Sequence, residues 1–217
     1  MVALLERGDL DAGATPSGLN LGEILTGRGL EHAGSLGYES IWLDVDPAIE
    51  DSQRDAIEGA IDHRLLDEGL LRTHGNATAS LWPGPETEPA PPRSRARPGE
   101  GSGTIRLSTS TGDALLGMIQ RVLQLQLEGA GFDVELVKAE PRELYGPWRV
   151  SDPTDVALLR AAGAPGLSVL GRGLRAGGIP IAHVETMLAW RPGVTGLEPN
   201  PTLDGPLWNA ESWSVGG

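Results

Sequence analysis

Two aspartates separated by a single residue, Asp44 and Asp46, form the most chemically suggestive pair in the sequence. Asp44 lies within the run YESIWLDV (residues 38–45), and Asp46 follows it directly. The aromatic and β-branched content of this run and its alternating apolar positions predict a strand. Because strand side chains alternate between faces, both carboxylates are expected on one face. Close carboxylates can bind a cation or share a proton. A small α/β enzyme using Asp44 and Asp46 is therefore one open interpretation, and a pair of water-facing strand-end residues is the other.

The remaining reactive side chains do not form the pattern of a metal or cofactor site. The histidines at 32, 63, 74 and 183 are too scattered to share a helix face at ligand spacing. The absence of cysteine excludes disulfides, thiolate zinc sites and cysteine nucleophiles. The glycine-rich stretch 171–177 has its third glycine one position too late for a dinucleotide-binding loop. We expect neither a metal nor a cofactor.

The aromatic composition is dominated by tryptophan, with six Trp beside one Phe and two Tyr. An indole N–H needs a partner when the ring is buried, so some of these rings are candidates for stacking on a ligand. The candidates are Trp42, Trp82, Trp148, Trp190, Trp208 and Trp213. Packing in the core is the alternative for each ring.

Charge and hydropathy exclude two classes of function. The net charge is −13 and the pI about 4.7, which argues against nucleic-acid binding because phosphate contacts need clustered Lys and Arg. No window of about 18 apolar residues exists, so no membrane span is expected. The apolar run in MVALLERG (residues 1–8) is too short for a signal peptide.

The strongest structural pattern lies between residues 104 and 137. Residues 104–108 and 132–137 are rich in strand formers, and the stretch between them carries an apolar stripe at helical spacing. The stripe predicts a helix over residues 112–129, closed by glycines. A strand–helix–strand unit of this length predicts parallel strands. The stripe consists of Leu115, Leu116, Ile119, Val122, Leu123 and Leu127.

Other segments complete a chain of alternating elements. A helix is predicted over 2–7, ended by Gly8, and helical structure over 50–71, where Asp62 caps a second segment. Residues 83–103, rich in proline and arginine, predict a flexible loop or linker. The remaining predictions are strands at 9–13, 155–159 and 179–189, the last interrupted at His183, and short helices near 21–25 and 141–144.

Three stretches resemble the C-terminal half of bacterial extracellular solute-binding protein family 5, which serves peptide and nickel ABC importers. The first is DSQRDAIEGAIDHRLLDEGLL (51–71), which is similar to the helix pair of that family. The second is the strand–helix–strand unit ending in FDVELV (132–137). The third is LAWRPGVTGLEPNPTLDGPLWNAESW (188–213), which is similar to the family's C-terminal return segment.

The resemblance implies a periplasmic-binding-protein-like (type II) α/β fold: a lobe with a mixed sheet and flanking helices, beside an incomplete first lobe. Residues 1–37 would be the remnant of the first lobe, 38–190 the second lobe and 191–217 the return segment. Strand 38–46 and residues 188–190 would cross between lobes side by side, bringing Trp42 near Trp190.

The resemblance also implies the binding residues: Trp42 and Asp44 on the crossing strand, and Arg160 where the ligand-anchoring run begins. Peptide-binding members have a tryptophan and then an acidic run at that place, whereas this chain reads RAAGAPG (160–166). A free peptide amine is therefore not the expected anchor.

The function implied is that of a non-catalytic solute-binding component, or a fragment of one, of a peptide-type ABC importer. Its partners would be a peptide or other small solute, the importer permease and a first lobe encoded elsewhere, and no nucleic acid. Its location would be the periplasm or the cell surface, although the absence of a signal peptide leaves the cytoplasm open. The alternatives are the Asp44/Asp46 enzyme and a degenerate fragment without a ligand.

Overall fold

The computed structural model describes residues 1–16, 21–71, 75–77, 101–145, 155–161, 178–198 and 208–216. The helices are α1 (Val2–Arg7), α2 (Leu21–Gly27), α3 (Asp51–Ala60), α4 (His63–Leu66), a π-helical turn (Asp67–Leu71), α5 (Ala114–Ala130), α6 (Pro141–Tyr145) and a 3₁₀ turn (Ala210–Ser212). The strands are β1 (Ala12–Pro16), β2 (Glu31–Val45), β3 (Gly75–Ala77), β4 (Thr104–Ser110), β5 (Asp133–Ala139), β6 (Val156–Ala161), β7 (Ile179–Trp190), β8 (Val194–Thr195) and β9 (Ser214–Val215).

Seven of these strands form one mixed sheet in the order β1-β7-β2-β6-β4-β5, with β3 also paired to β7. Strand β4 runs parallel to both β5 and β6, whereas the other pairs are antiparallel. Strands β8 and β9 form a separate two-stranded ribbon. The predicted fold class, a mixed α/β sheet with flanking helices, is confirmed.

The strand–helix–strand unit is confirmed in detail. β4 and β5 are parallel with Leu107 opposite Leu136, and the stripe residues Leu116, Ile119, Leu123 and Leu127 of α5 are buried against the sheet. Asp113 caps the helix by accepting a hydrogen bond from the Leu116 N–H at 3.0 Å. The left-handed residue that ends the helix is Gly131, with φ 109°.

The helical segment 50–71 is also confirmed, as three consecutive pieces. α3 ends where Ile61 is extended, and Asp62 then caps α4 by accepting from the Leu65 N–H at 3.0 Å. Gln126 of α5 both donates to the Asp62 carbonyl and accepts from its N–H. These contacts fix α4 against α5.

The sequence underestimates the longest strand. β2 begins at Glu31, whereas the predicted strand begins at residue 38. Residues 31–37 have no apolar alternation that would indicate a strand, and they owe their extended form to pairing with β7. β7 is also continuous through His183, where a break was predicted. The buried His183 ring has its Nδ1 atom 3.0 Å from the Ser40 hydroxyl, and this hydrogen bond satisfies one ring nitrogen inside the sheet. Strand β1 is three residues later than predicted, since it pairs with the end of β7.

The predicted side-by-side run of residues 38–46 with 188–190, and with it the proximity of Trp42 and Trp190, is wrong. β2 and β7 do lie side by side, but Trp190 pairs with Glu31 and Trp42 with Pro180. The two indoles are thus separated along the ribbon by the eleven residue steps from Glu31 to Trp42, roughly 35 Å at strand spacing. An antiparallel register brings the end of β7 to the start of β2. The predicted loop 83–103 lies, up to residue 100, outside the described residues.

Three apolar clusters surround the sheet. The largest lies between one face and helices α3, α4 and α5. A second is at the far end of the β2–β7 ribbon, where α1 and α2 cover Met187 and Ala189. The third is on the face opposite α5, where α6 places Leu144 over Trp42.

Candidate functional site

A polar cluster lies where the parallel strands β4, β5 and β6 reach their carboxyl ends. In open α/β sheets, ligands commonly bind at this edge. β4 ends here in Ser108, Thr109 and Ser110, and the first two donate hydrogen bonds to carbonyls of β6. These two hydroxyl groups therefore connect β4 to β6 and are not directed into solvent.

Arg160, near the end of β6, is the centre of the cluster. Its Nε donates to Glu39 Oε2 at 2.7 Å, and a terminal nitrogen lies 2.5 Å from the same oxygen. Its other terminal nitrogen lies 3.3 Å from Asp113 Oδ2. The three side chains are 13%, 9% and 25% exposed. One guanidinium therefore joins β2, β6 and the start of α5 through largely buried ion pairs.

The strand registers explain why these groups meet. Arg160 pairs with Ile41 across the β2–β6 ladder, and Glu39 lies two residues from Ile41 on the same face. Asp113 enters from above because it is the cap of α5, which packs on this face. One of its oxygens accepts from the helix and the other contacts Arg160. The carboxylate therefore serves both as a cap and as an ion-pair partner.

Burial controls the electrostatics of the cluster. It raises the pKa of Glu39, although Arg160 opposes this rise by attraction and hydrogen bonding. Burial likewise raises the pKa of Tyr145, whose hydroxyl accepts a hydrogen bond from the Arg160 backbone N–H at 3.0 Å. A single cation between two carboxylates leaves the three ionised side chains with one excess negative charge.

The structure separates the residues that the resemblance grouped together. Trp42 is only 4% exposed and packs against Leu144, Ala157 and Leu159. It lies on the sheet face opposite Arg160. Asp44 shares the face of Trp42, opposite Ala157 in register, and is half-buried. Arg160 is thus brought together with two carboxylates, and not with Trp42 or Asp44.

Two members of the cluster carry a sequence signal that was missed. Glu39 precedes Ile41, Leu43 and Val45 at the same two-residue spacing, so it lies on the same buried face of the strand. A charged residue there requires a partner. Asp113 stands between a glycine and the apolar stripe of α5, the usual position of a helix cap. Nothing in the local sequence indicates that both meet Arg160, because that follows from long-range pairing.

The second carboxylate of the predicted catalytic pair has a local structural role. Asp46 accepts a hydrogen bond from the Ala48 N–H at 2.7 Å and donates its own N–H to the Asp155 carbonyl at 2.9 Å. It thereby closes the turn after β2. Within the part of the chain that the structure describes, no group of three or more His, Asp and Glu side chains is placed to hold a metal ion. None of the helices described there is long and apolar enough to cross a membrane.

Comparison with known proteins gives matches at the level of structure. No protein-family model and no curated protein matches the sequence. Among solved structures, the periplasmic EDTA-binding protein EppA superposes with a TM-score of 0.73 at 14% identity, over 100% of this chain and 56% of its own.

Two further structures have similar values. The oligopeptide-binding protein AppA from Bacillus subtilis, solved with a nonapeptide, has a TM-score of 0.67 at 13% identity over 100% and 58% of the two chains. NikA from Brucella suis, solved with Fe(III)-EDTA, has a TM-score of 0.68 at 14% identity over 99% and 59%. The chain thus spans little more than half the length of these proteins.

At these identities the comparisons show the fold. The predicted likeness to peptide- and nickel-type solute-binding proteins is confirmed in that sense, and so is the predicted periplasmic-binding-protein-like architecture.

Proposed function

We propose that this chain is a solute-binding component, or the C-terminal part of one, of an ABC importer of solute-binding protein family 5. The observation that supports this most is that essentially the whole chain shares its fold with binding proteins for EDTA, an oligopeptide and nickel complexes. The proposal makes the chain non-catalytic and places it outside the cytoplasmic membrane, with a permease as its partner.

We propose the division into lobes that the sequence resemblance implies: residues 1–37 and 191–217 belong to a first lobe, and 38–190 to a second. Two features support it. The β2–β7 register shifts between Leu36 and Glu39, next to the proposed boundary. The apolar cluster under α1 and α2 is also distinct from the main core, and it includes Met187 and Ala189 at the end of β7, which therefore pack with first-lobe residues. β2 and β7 would then be the segments that connect the lobes, and solute would be enclosed between them.

In this proposal, Arg160 and its ion-pair partners Glu39 and Asp113 form part of the surface that the solute contacts. The ion pairs hold the guanidinium in one orientation, which lowers the entropy lost on binding. Trp42 supports the sheet from the opposite face, where it packs against Leu144, and Asp44 lies near the end of β2 on that same opposite face. The segment 162–166, which departs from the peptide-binding pattern, lies outside the described residues.

Titration calorimetry against small peptides, nickel–histidine complexes and metal chelates tests the proposal. A micromolar site corresponds to about −8 kcal/mol, so a chain that supplies about half of the contacts binds near the millimolar range. We expect saturable binding of at least one compound at about that strength. Absence of heat from every compound at tens of millimolar, roughly ten times the expected Kd, would contradict the proposal.

A matched pair of variants locates the binding. Arg160→Gln removes the central cation, whereas Arg191→Gln removes an exposed arginine that contacts Asp11 at the far end of the sheet. We expect the first variant to lose binding and the second to retain it, with near-UV circular dichroism showing that both are folded. Equal affinity for the two variants would remove Arg160 from the site.

A further inference from the structure

Helix α5 has a second apolar stripe on the side turned away from the sheet. Met118, Val122 and Leu125 recur at the i, i+4, i+7 spacing of one helix face. Met118 is 37% and Leu125 69% exposed. The core is already formed by the opposite stripe of the same helix. Val122 is half-buried and packs against the main core, so packing within the described chain leaves Met118 and Leu125 unaccounted for.

A facing wall turns the stripe into a groove. The wall is formed by Leu65, which is 53% exposed, and by Gly69 and Leu70 of the π-helical turn, and the groove has a volume of about 580 Å³. This volume lies within the range of small-molecule sites. A Cβ on Gly69 would meet no atom within 4 Å, so the glycine leaves the wall open. Single-turn π segments occur frequently at functional sites.

The charge at one end of the groove is positive, although the protein as a whole carries −13. Arg121 is the ionisable residue in the lining, and its guanidinium makes a long, 3.4 Å contact with Gln124. Lys138 lies beside Gly117 of the same lining, with its ammonium 3.2 Å from the position of a Cβ there. Desolvation, followed by repulsion from Arg121, lowers the pKa of Lys138, and Asp113 opposes this.

The acidic residue next to Gly69 does not neutralise this end. Glu68 is paired with Arg64 at 2.6 Å on the exposed side of α4. The groove therefore combines apolar walls with two neighbouring cations. An anion placed between Arg121 and Lys138 would relieve their repulsion, and an attached alkyl chain would cover Met118, Val122 and Leu125.

We propose that this groove binds an amphipathic anion, namely a linear alkyl chain that ends in a carboxylate, with the carboxylate at Arg121 and Lys138 and the chain between α5 and the π-helical turn. The inference does not rest on the proposed transport function, since the lining of the groove contains none of Arg160, Glu39 and Asp113; its cationic end begins one helical turn from Asp113.

Calorimetry with octanoate and decanoate, below their micelle concentrations, tests the proposal. Burial of each added methylene contributes up to about 0.8 kcal/mol, so two methylenes should tighten binding by roughly ten-fold. Decyltrimethylammonium has a similar chain and the opposite charge, and we expect it to bind at least ten-fold more weakly. Equal affinity of the cation and the anion would overturn the assignment of the head group.

Two variants with matched controls test the location. Arg121→Gln should weaken decanoate binding several-fold, and Leu125→Glu should abolish it. The controls are Arg7→Gln and Ile24→Glu, which alter an exposed arginine and an exposed apolar side chain on other helices. We expect both controls to bind normally. Decanoate binding that survives Leu125→Glu would refute the site, and so would a concentration-dependent dimer in sedimentation experiments that Leu125→Glu abolishes.

Discussion

Arg160 makes the contacts on which both the stability of the sheet edge and the proposed site depend. It joins two carboxylates that neighbour each other only because β2 and β6 pair in one particular register. Removing one partner of a largely buried ion pair leaves the other charge without compensation. The sequence places Arg160 on a strand, but it does not reveal the carboxylates that hold it.

Replacing Arg160 by methionine should lower the free energy of unfolding by about 2–4 kcal/mol, because Glu39 keeps its burial and loses its cation. Urea denaturation at pH 7.5 measures the change. Arg191→Met removes a solvent-exposed pair and should cost less than about 0.5 kcal/mol. A loss for Arg160→Met no larger than that of the control would show that the buried pair contributes little.

The same variant should show a specific dependence on pH. Burial raises the folded-state pKa of Glu39, and Arg160 restrains this rise. The pKa is therefore higher still in Arg160→Met, where the folded state binds a proton more tightly than the unfolded state. Stability linked to Glu39 then increases as pH falls towards the ordinary carboxyl pKa of 4.5. We expect the stability deficit of the variant to shrink between pH 7.5 and pH 5; a deficit that widens would contradict this assignment.

At the scale of elements, periodicity decides which parts of the sequence can be interpreted. α5 and its flanking strands are predictable because the apolar stripe and the two strand-forming runs are local patterns. The first half of β2 is not, since residues 31–37 contain no alternation and adopt a strand only through pairing with β7. For the same reason the expected pairing of residues 38–46 with 188–190 fails: Trp190 lies opposite Glu31, and Trp42 lies opposite Pro180.

Two glycines at the end of α5 should respond in opposite directions to the same substitution. Gly131 ends the helix at φ 109°, a conformation that alanine adopts at a cost of about 1–2 kcal/mol. Gly129 lies inside the helix with nothing within 4 Å of an added Cβ, so alanine there should stabilise by about 0.5–1 kcal/mol. Thermal unfolding of Gly131→Ala and Gly129→Ala measures both. Equal shifts of the two melting temperatures would contradict the helix end described here.

At the scale of the whole molecule, the fold supports the resemblance, with a TM-score of 0.73 to a periplasmic EDTA-binding protein at 14% identity. The three stretches that carry the resemblance correspond to the α3–α4 helix pair, the strand–helix–strand unit and the segment that follows β7. The Arg160 cluster lies at the carboxyl edge of the parallel strands, and the apolar groove lies on the outer side of α5. The two surfaces differ in chemistry: the Arg160 cluster is a set of ion pairs, and the groove has apolar walls and a cationic end.

We propose that solute binds at the carboxyl ends of β4 and β6 against Arg160. The most direct test is an NMR titration of the isotope-labelled chain with the strongest compound from calorimetry, following backbone amides and the arginine Nε–H signals. We expect the shifts to concentrate at residues 109–113 and at Glu39 and Arg160, with saturation at the calorimetric Kd. Shifts confined to other parts of the chain, such as the outer face of α5, with the Arg160 Nε–H unchanged at saturation, would contradict it.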